Sequence, residues 1–157
     1  ERAVESALRL KLVTDTDLRA FAALEATSRH GGRRLRAVLE LRPVAAPPTG
    51  SDVETVCLQE YRRRGVPTPI RQFEIVHEGI VVAIADFGWP PWPFITEIDG
   101  FETHGQPLAL ANDLHRQNWI SDVKVMFRRF TYHDVMYNPA YVCRETMRGI
   151  REAQLVL

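Results

Sequence analysis

Asp86, Glu97 and Asp99 are the residues of this 157-residue chain whose types and spacing point most directly to chemistry. Asp86 closes the apolar run Ile80 to Ala85, and Glu97 and Asp99 close the next run, which starts at Phe94 after the proline- and tryptophan-rich stretch Gly88 to Pro93. If both runs are strands, so short a connection keeps their ends neighbours. Side chains alternate along a strand, so Glu97 and Asp99 at i and i+2 share a face. Three carboxylates meeting there make a hard oxygen site suited to Mg²⁺ or Mn²⁺, with positions left for water and phosphate. Such a site polarises a phosphoryl oxygen, helps generate hydroxide and stabilises a leaving oxygen. Acids at strand ends are also commonly plain solvated residues, and that reading stays open beside the first.

Further polar residues lie within reach of this cluster. His104, in Thr103-His104-Gly105, is placed to act as general base or to hold an attacking water, or else to serve as a structural hydrogen-bonding residue. Asp113, Arg116 and Gln117 stand at i, i+3 and i+4, one helix face, to contact phosphate, brace the cluster or form a surface ion pair. Glu54 completes Ser51-Asp52-Val53-Glu54, an S-x-x-E capping box in which the glutamate turns back on its own helix start. Of the 20 Lys and Arg, 18 are arginine, and two clusters stand out: Arg29 to Arg42, and Arg62, Arg63 and Arg64. Guanidinium forks suit phosphate oxygens, although a solvated helix face explains the same pattern. Trp89 and Trp92 offer either a stacking platform for bases or a cover for the core.

The elements that must position these groups follow from periodicity. Residues 1–43 read as short helices, with Thr14 and Asp17 forming a capping-box start and Gly31-Gly32 breaking before Arg33 to Leu41. The proline-rich residues 44–50 read as a linker, so the functional domain spans 51–157. Asp52 to Arg64 forms a helix stopped by Gly65 and Pro67. Ile70 to Val76 and Ile80 to Asp86 read as a hairpin around His77-Glu78-Gly79, followed by a third strand, Phe94 to Asp99. Pro107 to Ile120 is expected as a helix, Val123 to Phe130 as a strand, and Asn138-Pro139 opens a last helix with Cys143, Met147 and Ile150 on one face. The order is helix, three strands, helix, strand, helix.

A 45% hydrophobic and 25% charged composition belongs to a globular chain that buries a core without disulfides. No apolar run approaches the roughly 18 to 20 residues of a membrane span, so no membrane partner is expected. Cys57 and Cys143 have no CxxC neighbour, which argues for buried thiols in a reducing cytoplasm and against structural zinc. The net charge of zero excludes a grip on nucleic acid through overall basicity but not through local patches. The chain opens at Glu1 without methionine, as expected of a piece of something longer, with room for a further N-terminal domain. The sequence leaves homodimerisation open.

Five segments in order carry a resemblance: Ala85-Asp86-Phe87, Thr96 to Gly100, Thr103 to Gly105, Asp113 with Arg116-Gln117-Asn118, and Arg129 to Tyr132. Together they look like the domain related to very-short-patch-repair endonucleases, in the PD-(D/E)xK nuclease superfamily, often attached to abortive-infection toxin–antitoxin proteins. The resemblance covers roughly Ser51 to Ile150. It implies an α/β, restriction-endonuclease-like αβββαβ core with a mixed central sheet flanked by helices, following the N-terminal helices. It also implies a metal-dependent DNA endonuclease in which Asp86 and Glu97 bind Mg²⁺ or Mn²⁺ with Asp99 and His104 beside them. Glu54 would be the extra acid many members carry, and Arg62, Arg63, Arg116 and Gln117 would meet DNA. One departure stands out: Asp99 occupies the position where the superfamily usually has lysine. His104, Arg116 or a second cation would then have to position the nucleophile and offset phosphate charge. A non-cleaving nucleic-acid-binding or regulatory module of the same fold is the alternative.

Overall fold

The computed structural model describes residues 1–24, 31–99 and 125–156. They divide into two compact units, Glu1–Asp52 and Val53–Leu157. His104, Asp113, Arg116, Gln117 and the helix expected from Pro107 lie outside the described residues.

The first unit holds three short helices, α1 (Arg2–Arg9), α2 (Asp15–Leu24) and α3 (Gly32–Glu40). The Thr14/Asp17 box forms as read. Thr14 N–H donates to Asp17 Oδ2 and Asp17 N–H to Thr14 Oγ1, both at 3.1 Å, which satisfies two amides at the start of α2. Its buried centre is largely polar. Glu5, Arg42 and Thr49 are buried beside Ala22 and Leu39, whereas Leu10, Leu12, Phe21 and Leu24 are exposed. Arg42 Nη1 donates to Glu5 Oε1 at 3.0 Å, its Nε donates to Asp15 Oδ1 at 3.1 Å, and its Nη2 donates to the Ala46 carbonyl. Glu5 also accepts from Thr49 N–H at 3.3 Å, and Arg9 donates to the Thr49 carbonyl at 3.1 Å. The stretch read as a linker is therefore hydrogen-bonded into this unit rather than running free.

The second unit is α/β. A four-stranded mixed sheet runs in the order β1 (Ile70–His77), β2 (Ile80–Gly88), β3 (Phe94–Asp99), β4 (Met126–Thr131). Its helices are α4 (Asp52–Arg63, whose first residue falls in the preceding unit), α5 (Tyr132–Tyr137) and α6 (Pro139–Gln154). The β1–β2 hairpin turns at Glu78 and Gly79, both with positive φ (49° and 81°), the two-residue turn whose twist matches its strands. β2 and β3 are antiparallel, while β3 and β4 are parallel and pair Glu97 with Arg129 and Asp99 with Thr131. The short helix α5 was not expected. It starts at a capping box in which Thr131 Oγ1 accepts from Asp134 N–H and Asp134 accepts from Thr131 N–H.

One face of the sheet packs on α4 and α6 through Cys57, Leu58, Tyr61, Phe87, Trp89, Phe94, Ile98, Phe130, Val142 and Ile150. Tyr61 ties the layers together: its hydroxyl stands 3.2 Å from Thr96 Oγ1 and 3.1 Å from Thr146 Oγ1, and all three side chains are fully buried. Gly149 of α6 lies against Phe94, and a Cβ there would meet the ring at 2.2 Å, so glycine sets the helix–sheet distance. Trp89 is core rather than platform. It is buried, donates from Nε1 to the Pro67 carbonyl at 2.8 Å and packs beside Tyr61 and Phe94. Cys57 and Cys143 are buried free thiols, and burial pushes the Cys57 thiol far above its ordinary range. No helix among the described residues is long and apolar enough to cross a membrane.

Candidate functional site

The β2–β3 ladder pairs Phe87 with Thr96 and Gly88 with Ile95, and there the printed pairing stops. Beyond it a side chain takes over: Asp86 Oδ2 accepts from the backbone N–H of Ile98 at 2.7 Å. A buried amide at the end of a ladder needs a partner, and a carboxylate is a strong one. The Asp86 carboxylate is thereby held beside the residue that separates Glu97 from Asp99.

Glu97 and Asp99 share their strand face with Ile95, opposite to Phe94 and Ile98, which enter the helix-covered core. Glu97 is 7% exposed, an unusual fate for a carboxylate. Across the parallel pair stands Arg129, its Nε 3.6 Å from Glu97 Oε2 and its Nη2 3.3 Å from Asp99 Oδ1. Its neighbour Arg128 turns the other way and binds Glu152 of α6 at 2.9 Å, as strand alternation requires.

Glu54, at 6% exposure, enters from α4 and accepts from Gln72 Nε2 at 3.2 Å. Gln72 lies in β1 between the pairs Arg71–Phe87 and Phe73–Ala85, which brings it alongside Asp86 in β2. Its φ is 47°, a left-handed conformation that costs a non-glycine residue about 1 kcal/mol or more and re-aims its side chain. After burial and the hydrogen bond with Tyr61, the neighbours acting on the Cys57 thiol include Cys143, Asp86 and Glu54, so both acids approach the same thiol. A polar row thus crosses the unit: Glu54 from α4, Gln72 from β1, Asp86 from β2, Glu97 and Asp99 from β3, and Arg129 from β4.

Among the described residues no three His, Cys, Asp or Glu side chains gather closely enough to hold a metal. The expected threefold convergence of Asp86, Glu97 and Asp99 is not seen as such, because Asp99 pairs with Arg129. The donor chemistry still fits Mg²⁺, which keeps several waters and takes one or two protein carboxylates. Asp86 and Glu97, hard oxygen donors from adjoining strands, are the two that would hold it.

Arg62 and Arg63 occupy the last turn of α4, where cations complement the helix dipole. Arg63 and Arg64 bind Glu60 at 2.8 and 3.0 Å. Burial raises the Glu60 pKa, but the hydrogen bonds from these two arginines outweigh it and hold that carboxyl below its ordinary range. Part of the basic cluster is therefore spent within the helix. Sequence reasoning gave no role to Gln72 or Arg129. Only Arg129 carried a signal, its place in the segment Arg129 to Tyr132. No family model, curated protein or solved structure matches the chain.

Proposed function

We propose that the second unit is a restriction-endonuclease-like domain of the PD-(D/E)xK kind, similar to very-short-patch-repair endonucleases, and that it hydrolyses DNA phosphodiester bonds with Mg²⁺ or Mn²⁺. The observation that carries this reading is the polar row, in which two nearly buried carboxylates, Glu54 and Glu97, line up with Asp86 from a third element. Burying acids is costly, and a fold that keeps several at one level of its sheet is using them for more than solubility. The mixed sheet, with β3 parallel to β4, supports the same assignment.

In this mechanism Asp86 and Glu97 hold the cation, which polarises the scissile phosphate and activates water. The Ile98 amide fixes the Asp86 carboxylate, and Gln72 fixes Glu54. Asp99 stands beside Glu97, and His104 is the assigned base or water-orienting group. Arg62, Arg63, Arg116 and Gln117 are assigned to the DNA backbone.

The assay is incubation of the chain with nicked, mismatched and plain duplex DNA plus Mg²⁺ or Mn²⁺. The expected result is cleavage that falls roughly a hundredfold or more in Asp86→Ala. No cleavage of any substrate, or cleavage undiminished in Asp86→Ala, overturns the hydrolase. The pairing of Arg129 with Glu97 and Asp99 favours a second reading, a nucleic-acid-binding module of the same fold without turnover. Salt-dependent DNA binding unaffected by EDTA marks that outcome.

A further inference from the structure

Resting on that reading, we propose that Arg129 supplies the positive charge missing at Asp99. In the free protein its guanidinium competes with a divalent cation for Glu97 and Asp99, and, once released from them, it binds a non-bridging oxygen of the phosphate.

Three features of the geometry carry this. Arg129 is the β4 residue in register with Glu97, and alternation along both strands puts the two on one face. A charge sits at the level of the carboxylates, supplied by the neighbouring strand rather than by the strand that carries them. Second, the contacts are loose and part exposed. The Arg129 side chain is 32% exposed and meets its acids at 3.6 and 3.3 Å, whereas Arg42 is 3% exposed and meets its two acids at 3.0 and 3.1 Å. A guanidinium bound this weakly gives up its carboxylates at small cost. Third, its planar fork of donors matches phosphate oxygens in a way an ammonium does not.

Two cations cannot share Glu97 without repulsion, and competition follows. It is measurable without any turnover.

The test is Mn²⁺ binding to the full chain by titration calorimetry, alongside single-turnover cleavage, for the wild type, R129M and R129K. In R129M the expected result is Mn²⁺ binding about tenfold tighter with cleavage slowed about a hundredfold or more. R129K, which keeps the charge but loses the fork, should hold Mn²⁺ near the wild-type affinity and recover cleavage only in part. Unchanged or weaker Mn²⁺ binding in R129M overturns the competition. Tighter binding with cleavage undiminished overturns the phosphate contact. A wild type that binds Mn²⁺ but cuts nothing overturns the hydrolase reading and the phosphate contact with it, while tighter binding in R129M still upholds the competition. Absence of Mn²⁺ binding in all three proteins overturns both. Should R129M fail to fold, R129K decides through the same pair of readouts, and cleavage at the full wild-type rate in it removes the need for the fork.

Discussion

Each unit of this molecule sets one arginine between two carboxylates, and the two arrangements differ in every physical respect that separates a clasp from a working site. In the first unit Arg42 lies between Glu5 and Asp15, almost fully buried, and also donates to the Ala46 carbonyl. In the second Arg129 lies between Glu97 and Asp99, about a third exposed and at longer range. The first triad lies at the centre of a unit with little apolar burial, so its charges replace a hydrophobic core. The second lies on a sheet whose opposite face already holds a continuous apolar core, so stability does not require it. Charges that are not needed to hold a fold together are the ones available for chemistry.

The sharpest way to break this comparison is to remove each arginine and follow the two units separately by native-state hydrogen exchange. Arg42→Met strands two acids in the interior, and the first unit should lose roughly 3 to 5 kcal/mol. An effect comparable to that of an ordinary surface substitution would show that the triad is no clasp.

Within the second unit the comparable loss should come from the core and not from its charged row. Tyr61→Phe leaves the buried Thr96 and Thr146 hydroxyls without their shared partner and should cost about 1 to 3 kcal/mol in urea unfolding. Arg129→Met, by contrast, should change stability by less than about 1 kcal/mol, as expected of a part-exposed pair. If Arg129→Met destabilises as much as Tyr61→Phe, the second triad is structural after all.

The smallest effect is acid sensitivity. Burial raises the Asp15 pKa, but hydrogen bonds from Arg19, Arg42 and the Ala45 amide outweigh it and hold the carboxyl below its ordinary 3.8. A carboxyl whose folded pKa is depressed stabilises the fold above its unfolded value and loses that contribution as pH falls through the folded one. The first unit should therefore weaken progressively below about pH 4. Asp15→Asn should flatten that part of the profile, and an unchanged slope would count against the pair.

Much of the second unit was legible from local pattern. The runs ending at Asp86 and Asp99 alternate or cluster their apolar residues as strands do, and Glu78-Gly79 announces a turn that needs positive φ. The spacing of Cys143, Met147 and Ile150 gives the inner face of α6, where Met147 packs against the buried Cys143 and Ile150. Asp86, Glu97 and Asp99 stood out for the same reason, as charges ending apolar runs. The first unit was harder to read, because its centre is made of residues that composition assigns to the surface. Residues 44–50 look like a linker by their prolines, yet Arg42 and Glu5 hold them through bonds from residues up to 44 positions away.

The sequence by itself determined which segments become helices and strands and which acids end them, because those choices depend on neighbours within a few residues. Only the tertiary structure decided what those acids meet. Pairing Glu97 with Arg129 requires β3 and β4 to lie parallel, and placing Glu54 beside Gln72 requires a left-handed residue within a strand. Both are contacts between distant parts of the chain, and local periodicity carries no information about such partners.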